Sequence, residues 1–164
     1  MPERPIAYFL TFRCYGTWVP GDPRGSVARR NNGYGDPYDE PNSVRERLAR
    51  ERVASPVSLE PAARSCVEAT IEEVASDRGW RLWAVNARTN HVHLVIGTTK
   101  KPEEVLVELK AWSTRRLRMS GLFPSDARIW AKHGSTRYIW TEESLERACH
   151  YVRYGQDKEG VEGY

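Results

Sequence analysis

Long apolar runs are missing from this chain of 164 residues. Nothing in it approaches the roughly 20 consecutive apolar residues that a spanning helix needs. No signal-peptide pattern is visible either, so neither export nor a membrane location is expected. Cysteine is scarce. Cys14, Cys66 and Cys149 are odd in number and widely separated, which excludes a disulfide framework and a C-x-x-C metal knuckle and points to a reducing, cytoplasmic compartment. Charge of neither sign dominates, the net value being +3. The positive residues nevertheless cluster: Arg13, Arg24, Arg29 and Arg30 lie early, and Lys110, Arg115, Arg116 and Arg118 share one segment. A clustered basic surface with aromatics nearby suits a nucleic-acid backbone and its bases, although a solvated charged face is the plain alternative.

What is present fits one domain with a full-sized core. Ile6–Gly16, rich in β-branched and aromatic residues, reads as a first strand. The Gly, Pro, Asn and Asp of the following stretch rule out a long regular element, so about 19–56 reads as a loop-rich insertion holding one short charged helix after Ser43. Leu59–Trp80 reads as a helix, with Pro61 in its first turn and an apolar stripe of Ala63, Cys66, Val67, Ile71 and Val74. Gly79 stops it. Two strands follow, Trp80–Arg88 and His91–Thr98. Lys101–Gly121 is a second helix, acidic at its start and basic at its end, as its dipole prefers. Ala127–Thr141 is strand material, with a hairpin suggested at His133-Gly134. Thr141–Gly155 closes the chain as a helix capped by Thr141.

This order is the α+β, βαββαβ pattern of ferredoxin-like and RNA-recognition-type folds, with both main helices on one face of an antiparallel sheet. The other face is then open to a ligand. Alternation along "HVHLVI" sends Val92, Leu94 and Ile96 to the core and His91, His93 and Val95 to the open side. Two neutral imidazoles at i and i+2 are good ligands for a divalent ion. A chance pair on an exposed face is the competing reading, and a structural zinc would need two more ligands at a spacing that is not seen. On the last helix, Leu145, Cys149 and Val152 mark the core direction. Tyr151 sits at the border of that stripe and Tyr154 on the wet side.

"NHVHLVI" resembles the HUH motif (His, hydrophobic, His) of the single-tyrosine transposases, a family that includes insertion-sequence transposases and REP-associated tyrosine transposases. The likeness extends to "YFLTFRCYGTW", "ELKAWSTRRLR", "WAKHGSTRYIW" and "YVRYGQ", and so covers most of the chain outside the insertion. It implies one HUH domain over 1–164, with His91 and His93 holding Mg²⁺ or Mn²⁺ and Tyr151 as nucleophile. It also implies cleavage and strand transfer of single-stranded or hairpin DNA through a 5′-phosphotyrosine, in transposition or REP-type hairpin processing, by a cytoplasmic protein that joins the nucleoid when bound. A homodimer is compatible with it. A free tyrosine has a pKa near ~10 and needs help to act as a nucleophile at neutral pH. The family places Gln or Asn four residues after the tyrosine as third ligand. Here Gly155 stands there and Gln156 follows, so Gln156 is the candidate ligand. The departure leaves two other readings open: a domesticated hairpin-DNA binder without turnover, and a metal-dependent phosphodiesterase that uses water. Candidate DNA contacts are Arg13, Tyr15, Trp18, Arg24, Lys110, Arg115, Arg118 and Arg137.

Overall fold

The computed structural model describes residues 4–16 and 56–155. The expected charged helix after Ser43, with Trp18, Arg24 and Gln156, lies outside them. Four strands, β1 (Ala7–Cys14), β2 (Arg81–Ala87), β3 (His91–Gly97) and β4 (Trp130–Ile139), and three helices, α1 (Pro61–Arg78), α2 (Pro102–Met119) and α3 (Glu142–Tyr154), follow in the order β1-α1-β2-β3-α2-β4-α3. The sheet runs β2-β3-β1-β4, and the pairs β1/β3, β1/β4 and β2/β3 are all antiparallel. This is the expected βαββαβ fold with one added helix. Among the described residues no helix is long and apolar enough to cross a membrane.

The helix ends follow local chemistry. Pro61 and Pro102 start α1 and α2, where a missing N–H costs nothing. Gly79 ends α1 in the left-handed region, at φ 68°, a conformation that only glycine adopts cheaply. Thr141 caps α3 by accepting a hydrogen bond from the Ser144 N–H.

Period-two alternation divides the strands between two cores. Leu10, Phe12, Val92, Leu94 and Ile96 pack against Val67 and Ile71 of α1 and Val105, Leu109 and Leu117 of α2. Each such side chain contributes roughly 1.5–3 kcal/mol when fully buried. The opposite face differs from expectation: it is not free. Phe9, Ala84, Val95 and Ile139 pack there against Leu145, Ala148, Cys149 and Val152 of α3, with Trp83 and Tyr151 at the margin. The apolar stripe of α3 requires a partner, and this half of the sheet supplies it. The histidines lie at the edge of this second cluster, with Tyr151 against His93.

The suggested hairpin at His133-Gly134 is also corrected. β4 runs through both residues as one strand of ten. Gly134 pairs with Phe12, and a Cβ there would lie 2.6 Å from the Thr11 carbonyl oxygen and 3.0 Å from Leu106 Cδ1. The glycine serves close approach between backbones and makes no turn.

Candidate active site

His91 and His93 do project from the same face of β3. Their rings meet edge to face with centroids 4.3 Å apart. His93 is nearly enclosed, at 5% exposure, while His91 is half-buried. Each ring is oriented by a neighbour through Nδ1. His91 Nδ1–H donates to Asn90 Oδ1 over 2.6 Å. An amide oxygen can only accept, so this contact selects the tautomer whose Nε2 carries the lone pair. His93 Nδ1 lies 3.2 Å from Thr11 Oγ1, a hydroxyl able to accept the same kind of bond. Thr11 pairs with His93 across β1/β3, and Arg13 pairs with His91. Orienting partners of this kind commonly stand behind metal-ligating histidines. Two imidazoles side by side on one strand are a donor type that fits a divalent cation. Among the described residues no third His, Cys, Asp or Glu joins them, so the two imidazoles form a partial set.

α3 brings Tyr151 to the same place. The tyrosine ring meets His93 near-perpendicularly, with centroids 5.5 Å apart, and lies 6.0 Å from Phe9. Phe9 also contacts His93 at 5.7 Å, so three rings fix one another. Two hydrogen bonds moor the helix to β2. Asn86 Nδ2 donates to the Val152 carbonyl over 2.9 Å, and Arg153 Nη2 donates to the Trp83 carbonyl over 2.7 Å. Asn86 is itself the β2 partner of His93. One row across the sheet, Asn86, His93 and Thr11, thus anchors the tyrosine helix, presents an imidazole and orients it. Tyr154, 60% exposed, stacks loosely with His150 on the outer side of α3, away from the histidines.

The other expected residues divide by location. Arg13 is half-buried beside His91. Tyr15 is half-buried with the Arg128 guanidinium 4.3 Å above its ring. Arg137 is enclosed, at 1% exposure, on the histidine side of β4 opposite Phe9. Lys110, Arg115 and Arg118 all lie on α2, behind the opposite face of the sheet, and do not converge with the histidines. Lys110 Nζ donates to the carbonyls of Ala131 and His133, and burial lowers its pKa to about 8. Arg115 lies over Trp112, and Arg118 donates to the Ala127 carbonyl. Burial pushes the Cys14 thiol up to about 12, which disfavours the thiolate.

Thr11, Asn86, Asn90 and Phe9 were missed in the sequence. Asn90, beside His91, had a readable signal. The other three become neighbours of the histidines or the tyrosine only through strand register and helix docking.

This four-stranded antiparallel sheet with its three helices is similar in fold to two solved structures, one of a candidate transposase and one of a REP-associated tyrosine transposase. A candidate transposase from Deinococcus radiodurans R1 superposes with a TM-score of 0.51 at 13% identity, over 93% of this chain and 92% of that one. A REP-associated tyrosine transposase, solved bound to a REP hairpin, gives a TM-score of 0.51 at 11% identity, over 96% of this chain and 70% of that one. At such identities the likeness is one of fold. No protein-family model matches the sequence, and no curated protein does.

Proposed function

We propose that this chain cleaves and transfers single-stranded or hairpin DNA in the manner of the single-tyrosine HUH transposases, whose motifs its sequence resembles. The observation that carries the proposal is the meeting of Tyr151 with His93, beside His91, within one chain. His91 and His93 would hold Mg²⁺ or Mn²⁺, and Gln156, which follows Gly155 in the sequence, would be the third protein ligand. When bound, the cation supplies Lewis acidity to the scissile phosphate. The Tyr151 hydroxyl attacks phosphorus. A bond forms from Oη to phosphorus while the bond from phosphorus to the 3′ oxygen breaks. The phenol gives up its proton and the departing oxygen gains one, leaving a 5′-phosphotyrosine and a free 3′-OH. The new ester keeps the phosphodiester bond energy, so the strand can be rejoined without ATP. Arg13, in register with His91, is the proposed contact to a phosphate beside the cleaved one. The hairpin bound by the REP-associated neighbour supports a folded single strand as substrate.

The test is incubation with labelled hairpin DNA and Mn²⁺, followed by denaturing electrophoresis. A covalent adduct is expected, lost in Tyr151→Phe and in His93→Ala. Cleavage that survives Tyr151→Phe would instead make the protein a phosphodiesterase that uses water. Tight hairpin binding with no cleavage would make it a binder without turnover.

A further inference from the structure

The glycine at the end of α3 has no conformational reason to be there. Gly155 adopts φ −68° and ψ −15°, an ordinary helical conformation open to every residue. Glycine is a poor helix former, so its presence calls for a steric cause. The cause is the tyrosine. A Cβ on Gly155 would stand 3.1 Å from Tyr151 Cε2, 3.2 Å from Cγ and nearer still to Cδ2. The ring therefore lies over the backbone of residue 155, in the space that any side chain there would fill.

The helix has little freedom to yield. Asn86 holds the Val152 carbonyl and Arg153 holds the strand carbonyl at Trp83, while Val152 and Ala148 are fully buried. A side chain at 155 would be accommodated by rotation of the Tyr151 ring away from Phe9 and His93. We infer that Gly155 is a positioning residue, which keeps residue 155 bare so that the Tyr151 ring packs back onto its own helix end and rests against His93. The inference builds on the proposed role of Tyr151. It also explains the departure from the family pattern: in this ring position the site four residues after the tyrosine has no room for an amide side chain. A protein-borne third ligand must then come from beyond the helix.

The experiment is Gly155→Ala in the full chain, with Gly155→Gln as the family-like companion. Three readouts are compared with wild type: the single-turnover rate of adduct formation on hairpin DNA with Mn²⁺, the nuclear Overhauser contact between the rings of Tyr151 and His93, and the melting temperature. The expected result is loss of the ring contact and adduct formation slowed roughly 10- to 100-fold, in proportion to a misplacement of about an ångström. DNA affinity stays unchanged and the melting temperature is unchanged or raised. A purely structural glycine would not combine slower chemistry with equal or better stability. Retention of the ring contact in Gly155→Ala overturns the inference, whatever the rate. If the wild type forms no adduct, the proposed reaction fails, while the ring contact still decides the geometry.

Discussion

At the scale of single residues, the consequential side chain is one that carries no chemistry of its own. Thr11 is buried and reaches His93 Nδ1 through its hydroxyl. Val fills nearly the same volume without the oxygen, so Thr11→Val tests orientation with little change in packing. Loss of such a partner typically weakens metal binding roughly 10- to 100-fold. The expected outcome is a rise in the Mn²⁺ concentration needed for half-maximal adduct formation, with the Tyr151 ring still on His93. An unchanged Mn²⁺ requirement would remove Thr11 from the site.

At the scale of elements, β4 and α3 decide the geometry in different ways. β4 lies against β1 so closely at Gly134 that a methyl group would strike the Thr11 carbonyl. Gly134→Ala is expected to destabilise the protein by about 1–3 kcal/mol, the usual cost of overpacking. It should also disturb His93 through Thr11. Urea denaturation measures the first effect and the Mn²⁺ requirement the second. If stability is unchanged, β4 has slack that this packing does not suggest. α3 is placed by its apolar stripe and its two moorings to β2, so the position of Tyr151 is inherited from Leu145, Ala148 and Val152 as much as from its own contacts.

At the scale of the whole molecule, the ring contact within one chain makes a prediction about the proposed site. Tyr151 meets the His93 of its own sheet. If the proposed site is built within one chain, an equimolar mixture of Tyr151→Phe and His93→Ala chains forms no adduct on hairpin DNA, because neither chain then has a complete site. Recovery of adduct approaching a quarter of the wild-type amount, one live site in each mixed dimer, would mean that the tyrosine helix serves a partner's histidines.

The local rules written in the residues were sufficient for the elements. Alternation assigned His91 and His93 to one face, helical periodicity placed Tyr151 at the edge of a stripe, and prolines, glycines and Thr141 marked the helix ends, because these depend on neighbours a few positions away. Strand order, register and docking depend on surfaces far apart in the chain. They alone could set Thr11 beside His93, hang α3 from Asn86 and cover half of a sheet face expected to be open. Gly134 and Gly155 show the same division. Each looks like a turn or a helix stop when read along the chain, and in the fold each is bare because another part of the protein needs the space.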